Sequence, residues 1–202
     1  MACRPLFWPG NPVGIANQLT LLRLGLSPVF VAAFILGGTA GHAAALVIAC
    51  LFEITDLLDG YFARTKRETT EFGKLADPMA DSIARFSVFL CFLWGGYTHL
   101  WVLAVIFYRD ALVAYIRVAA ARAGVVLAAR FSGKMKAITQ GIVILAVLVL
   151  IVATPPDDPL ALEATQQKAH WLMVLVAAVT LWSGVDYLRS AMPLVRGMMR
   201  KR

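Results

Sequence analysis

Two long intervals of this chain contain no charged residue, one between Arg23 and Glu53 and the other between Arg85 and Arg109. A water-exposed helix needs a polar face, whereas about 20 apolar helical residues cross roughly 30 Å of hydrocarbon. Each interval is broken near its middle by a glycine-rich turn: Gly37-Gly38-Thr39-Ala40-Gly41-His42 in the first and Gly95-Gly96-Tyr97-Thr98-His99 in the second. Each therefore predicts a helical hairpin with charges only at its open end. A third hairpin is expected from Ala137 to Ala153 and from Ala169 to about Tyr187, joined by the polar stretch Thr154-Pro155-Pro156-Asp157-Asp158-Pro159. The expected fold is all-α: an integral membrane protein forming a single domain over 1–202, with six transmembrane helices near 19–36, 43–62, 78–94, 100–121, 137–153 and 169–187.

Composition agrees. The chain is 60% hydrophobic and 15% charged, against about 45–50% and about 25% in soluble domains. Such a sequence is neither disordered nor collagen-like. Cys3, Cys50 and Cys91 are too scattered for a disulfide framework or a zinc site and read as small buried side chains.

The formal net charge of +7 could suit nucleic acid or anionic lipid, and the placement of the charges decides. The second-to-third connection carries Arg64, Lys66, Arg67 and Lys74, and the fourth-to-fifth carries Arg122, Arg130, Lys134 and Lys136. The N-terminus carries Arg4 and the C-terminus Arg189, Arg196, Arg200, Lys201 and Arg202. The alternate connections hold only Lys168, beside Asp157, Asp158 and Glu163. This asymmetry places both termini and both basic connections in the cytoplasm and argues against a nucleic-acid surface. The N-terminus does not read as a cleaved leader. Phe7 and Trp8, before Pro9-Gly10, predict a segment lying at the interface, and the basic C-terminal tail is expected to rest on anionic headgroups.

The acids are more informative than the bases. Asp56 and Asp59 are three apart, Asp77 and Asp81 four apart, so each pair shares a helical face. A short connection makes their helices antiparallel neighbours and brings all four carboxylates together at the cytoplasmic boundary. Acids there are costly and repel one another unless neutralised. A structural alternative pairs them with Arg64, Lys74 and Arg85, with Arg85 the expected partner of Asp81 one turn away. The sharper reading is a site for two hard divalent cations, Mg²⁺, Mn²⁺ or Ca²⁺, which would also hold phosphate oxygens. Gly60, Ala63 and Gly73 clear side-chain bulk beside the acids, and Arg64 offers a planar fork for phosphate.

Read as one string, Asp56-x-x-Asp59-Gly60-x-x-Ala63-Arg64, eight residues, then Gly73-x-x-x-Asp77-x-x-x-Asp81 resembles the signature of the CDP-alcohol phosphotransferase family in every fixed position. Further segments are similar to the bacterial phosphatidylglycerophosphate synthases of that family. They are Asn17-Gln18-Leu19-Thr20-Leu21-Leu22-Arg23, the arginines Arg109 and Arg117, Gly133-Lys134-Met135-Lys136, and Gln140. Ser82, Asp110 and Ala137 depart from the usual Lys, Glu and Thr of those enzymes.

The resemblance implies a phospholipid-biosynthetic transferase that moves a phosphatidyl group from CDP-diacylglycerol to glycerol 3-phosphate and releases CMP. It implies that Asp56, Asp59, Asp77 and Asp81 hold Mg²⁺ or Mn²⁺, with Asp81 also the general base. Asp59, Gly60, Ala63, Arg64, Gly73 and Asp77 would bind the CDP-lipid. A homodimer in a bacterial inner membrane is implied as well. Arg109, Arg117, Lys134 and Lys136 are expected to bind the acceptor phosphate, since arginines inside an apolar helix are costly without an anion. An inositol phosphate acceptor is the alternative within the family. A secondary transporter or cation channel is the alternative outside it, disfavoured because transporter sites lie near the midplane. Glu53 is expected to be structural or supporting. His42, His99 and His170 are expected at the outer turns, and Trp94, Trp101, Trp171 and Trp182 as interfacial anchors.

Overall fold

In a computed structural model the chain forms helices and connecting turns. The structure describes residues 15–66, 71–122 and 130–200, with side chains described over 18–58, 79–120 and 130–193. The helices are α1 (Ile15–Leu36), α2 (Gly38–Lys66), α3 (Glu71–Trp94), α4 (Leu100–Arg122), α5 (Phe131–Ala153) and α6 (Pro159–Arg200). Four stretches are long and apolar enough to cross a membrane: Gln18–Leu36, Gly38–Leu58, Phe131–Ala153 and Pro159–Pro193. The other two helices, α3 and α4, carry charges within their length: Asp77, Asp81 and Arg85 on one, Arg109, Asp110 and Arg117 on the other.

The burial pattern departs from that of a water-soluble bundle. Leu36, Leu57, Trp94, Leu100, Tyr115 and Phe131 are exposed, while Arg23, Ser27, Thr55, Gln140, Thr180 and Ser183 are buried. An apolar surface around a partly polar interior suits hydrocarbon as solvent. The chain is a membrane protein.

In α1 the buried residues Thr20, Arg23, Ser27, Phe30 and Phe34 recur every three or four positions, forming one stripe along the helix. That stripe packs against both α2 and α3, so α1 stands between the two acid-bearing helices. Among the described residues α2 and α3 each pack chiefly on α1, α2 also packs on α5, and Arg85 of α3 reaches Asp56 of α2 directly. The bundle is completed by α5 on α6 and α4 on α6.

The turns are tighter than the sequence predicts. The turn between α1 and α2 shrinks to Gly37, because Gly37 and Gly38 adopt φ of 68° and 64°, which glycine reaches without a side-chain clash. The last helix starts at Pro159 rather than Ala169. Asp158 Oδ1 accepts hydrogen bonds from the backbone N–H groups of Leu160 and Ala161 at 3.0 and 3.1 Å, and proline is suited to the first helical position. The expected C-terminal tail is helical as far as Arg200. Likewise α3 begins at Glu71 rather than 78, so its acidic end is one continuous helix.

The three tight turns share one end of the bundle. Gln166 Nε2 donates to Gly95 O at 3.0 Å, and the Phe34 ring lies 6.2 Å from Phe92 and 6.4 Å from Tyr97. His99 and His170 stack with centroids 4.1 Å apart at this end, and His42 lies 5.2 Å from Phe34, as their sequence positions predict. Trp94, Trp101, Trp171 and Trp182 are all exposed. Cys91 is buried and Cys50 half-buried. The N-terminal segment expected at the interface lies outside the described residues.

A methyl group on Gly41 would lie 2.6 Å from the Ala33 carbonyl oxygen, a backbone atom with little freedom to retreat. Gly41→Ala is expected to push α1 and α2 apart and cost about 1–3 kcal/mol. Thermal unfolding in detergent checks this, and an unchanged midpoint would refute it.

Candidate active site

At the end opposite the tight turns, α1, α2, α3 and α5 line a small, partly open cleft. Charged lining comes from Arg23, Glu53, Asp56, Asp81 and Arg85, and apolar lining includes Phe52, Val88 and Ile144. The Arg23 side chain is 2% exposed and forms an ion pair with Asp81. Its Nε donates to Thr55 Oγ1 at 3.4 Å, so one guanidinium links α1 to both α2 and α3. Thr55 Oγ1 in turn donates within α2 toward the carbonyls of Leu51 and Phe52. Pro28 removes an N–H from α1, and Ser27 Oγ donates to the Arg23 carbonyl at 2.9 Å just beneath the site.

Arg85 was expected to pair with Asp81. It instead donates to Asp56 Oδ2 at 3.4 Å and to the Ala137 carbonyl at 3.2 Å. Arg23 takes Asp81, because the α1 stripe aims it between the acid-bearing helices. The only sequence signal for this role was the place of Arg23 in the Asn17–Arg23 segment.

A second polar network lies beside the first, where α4, α5 and α6 meet. Lys136 Nζ donates to both carboxylate oxygens of Asp110 at 2.9 and 2.7 Å. Arg109 donates to Asp110 Oδ1 at 3.0 Å and to Ser183 Oγ at 2.6 Å, and its Nε is buried without a partner. Arg117 lies over the Tyr187 ring with 5.7 Å from Cζ to the centroid. Both arginines therefore face α6, as their eight-residue spacing predicts. A side chain at position 184 is excluded by Arg109, whose Cγ would meet a Cβ there at 2.9 Å. Lys134 is exposed, while Lys136 is buried. Asp186 on α6 accepts from Arg130 at 2.7 and 2.9 Å and from Ser132 at 2.5 Å, fastening the start of α5. Sequence reasoning missed Ser183, Asp186 and Tyr187. The lone aspartate inside an otherwise apolar last span was the available signal.

The expected cation ligands are accounted for in part. Asp56 and Asp81 are half-buried and face the cleft. The side chains of Asp59, Gly60, Ala63, Arg64, Gly73 and Asp77 lie outside the described residues, although their backbones belong to α2 and α3. Among the described residues no three His, Cys, Asp or Glu side chains gather closely enough to hold an ion. Asp56 and Asp81 nonetheless fit a hard divalent cation: their donors are all oxygen, and each is held by a guanidinium, the kind of charge a cation would supply.

The fold and the cleft define a helical membrane protein with its described ion pairs gathered at one end. The CDP-alcohol phosphatidyltransferase model matches residues 13–182, and the chain belongs to that family. Its relatives include the Mycobacterium tuberculosis (strain ATCC 25618 / H37Rv) protein named "Probable phosphatidylglycerophosphate synthase", 35% identical over 91% of this chain and 84% of its own length. The CDP-diacylglycerol--glycerol-3-phosphate 3-phosphatidyltransferase of Pseudomonas fluorescens is 31% identical over 94% of this chain and 95% of its own length. The enzyme of the same name from Escherichia coli (strain K12) is 31% identical over 88% and 94%.

Asp110 neutralises two cations, so Asp110→Asn is expected to destabilise the fold by about 3 kcal/mol. Pairing it with Lys136→Met should recover part of that loss. Thermal unfolding of the single and double variants checks this, and strictly additive losses would refute the coupling.

Proposed function

We propose that this chain transfers the phosphatidyl group of CDP-diacylglycerol to glycerol 3-phosphate, forming phosphatidylglycerophosphate and releasing CMP. One observation carries the reading: relatives named for this reaction align over nearly the whole chain, across both polar networks. The cleft with its acids at one end of the bundle supports a reaction at the membrane boundary better than a transport pathway through its middle.

On this reading, Asp56, Asp59, Asp77 and Asp81 would hold Mg²⁺ or Mn²⁺, as two ions. When bound, such ions neutralise the donor's pyrophosphate and the charge developing on the leaving CMP. Gly60, Ala63 and Gly73 would leave room for the cytidine end of the donor, and Arg64 would offer its phosphates a planar fork of donors. Arg109, Arg117, Lys134 and Lys136 bind the phosphate of the acceptor and hold its hydroxyl toward the cleft. Asp81 takes the hydroxyl proton as the acceptor oxygen bonds to the lipid-side phosphorus. The bond from that phosphorus to the bridging oxygen breaks, and CMP departs with the electron pair.

The setting completes the proposal: six spans in a bacterial inner membrane, both termini and the cleft on the cytoplasmic side, an N-terminal interfacial segment, and a homodimer. The basic connections at the cleft end support this orientation.

Purified protein given CDP-diacylglycerol, glycerol 3-phosphate and Mg²⁺ is expected to release CMP, and chelation with EDTA should abolish release. Release only with an inositol phosphate would shift the acceptor, and no release with any alcohol would refute the enzyme reading. Asp81→Asn is expected to lower kcat by about 10²-fold or more, as for the loss of a general base. Arg109→Ala is expected to raise KM for glycerol 3-phosphate far more than for the lipid donor. Equal rises would refute the acceptor assignment.

A further inference from the structure

Glu53 lines the same cleft as Arg23, Asp56, Asp81 and Arg85. It lies one helical turn before Asp56 and is half-buried, yet it makes no hydrogen bond or ion pair among the described residues. The charges it faces are Arg85, Asp56 and Arg23. Its position is set from across the cleft by α5: a Cβ added at Gly141 would lie 2.6 Å from Oε2 and 3.1 Å from Oε1. An unengaged carboxylate thus rests on bare backbone, next to two guanidiniums that are engaged elsewhere.

Both guanidiniums are largely withdrawn from water, with Arg23 2% exposed and Arg85 17% exposed. A doubly charged cation at Asp56 and Asp81 competes for the oxygens these arginines hold and repels the arginines as well. A buried cation that loses its carboxylate is strongly disfavoured unless another anion is within reach. For Arg85 the move from Asp56 to Glu53 is one helical turn, about 5 Å along α2. We infer that Glu53 is a positioning residue, the carboxylate that receives Arg85 when Asp56 turns to a divalent cation. The inference rests on the cation reading of the site made above. Glu53 itself touches neither substrate nor reacting atoms.

Mn²⁺ binding to the purified full-length chain in detergent, followed by the electron paramagnetic resonance of the free ion without substrate, tests this. Glu53→Gln is expected to weaken binding by about tenfold, within the range typical of coupled sites, and Glu53→Asp should restore most of it. A through-space loss of one negative charge would act whether or not Arg85 is present. In an Arg85→Met background the Glu53→Gln effect is therefore expected to shrink to about twofold or less, the level of independent sites. Gly141→Ala, which displaces the carboxylate without removing it, should weaken binding several-fold in the same direction. Unfolding midpoints confirm that each variant is folded. An unaltered Glu53→Gln affinity, or an equal loss with and without Arg85, overturns this role while leaving the cation site standing. Absence of Mn²⁺ binding to the unmodified chain, or binding indifferent to Asp56→Asn and Asp81→Asn, overturns the cation reading and this role together.

Discussion

A guanidinium buried between the helices of a membrane bundle cannot be left uncompensated, and Arg23 is such a group. Its charge and its directional donors require partners in fixed places, which here are Asp81 on α3 and Thr55 on α2. The requirement explains why α1 lies between the two acid-bearing helices. Apolar packing alone would hold helices together in many registers, since lipid is as apolar as leucine and offers little preference between them. The Arg23 contacts select one register, and in doing so they set the width of the cleft that α2 and α3 share.

The same economy of charge separates the two ends of the bundle. The tight-turn end is held by aromatic rings, a threonine pair and one amide hydrogen bond. The cleft end holds nearly every ion pair, in two networks that meet where Arg85 of the first donates to the Ala137 carbonyl at the start of α5. Lys136 of the second precedes that residue directly, so a displacement of α5 would be felt in both networks.

The hairpins, the tight-turn end and the facing of Arg109 and Arg117 were legible in the sequence because each follows from local spacing. Uncharged intervals broken by glycines mark helical hairpins whatever their neighbours, and an eight-residue spacing places two side chains near one face of any helix. Pairings between helices were not legible. Arg85 lies one turn from Asp81 on its own helix, which suggests a pair, but nothing in the order of residues reveals that Arg23 arrives from α1 to take that acid. The early start of α6 was misread because Thr154-Pro155-Pro156-Asp157-Asp158-Pro159 looks like a loop throughout. Its last two residues are in fact a cap and a first helical position. Asp186 and Ser183 escaped notice for a related reason: a polar residue in an apolar span declares itself only when its partner on another helix is known.

The two networks carry opposite excess charge, and this bears on what the bundle can bind. In the first, two guanidiniums face three carboxylates, Glu53, Asp56 and Asp81, so the cleft remains negative even with every described arginine in place. In the second, Arg109 and Lys136 share Asp110, Asp186 is taken by Arg130, and among the described residues Arg117 is met by the Tyr187 ring. A negative cleft attracts a cation, and an under-neutralised basic cluster attracts an anion. Set side by side at one end of a bundle, they are suited to a reaction between a cation-bound pyrophosphate and a phosphorylated alcohol. Both reactants are anionic and would repel one another in open water. On the proposed reading, the negative cleft would hold one reactant through the cations it attracts and the basic cluster would hold the other directly, close enough for the hydroxyl of one to reach the phosphorus of the other.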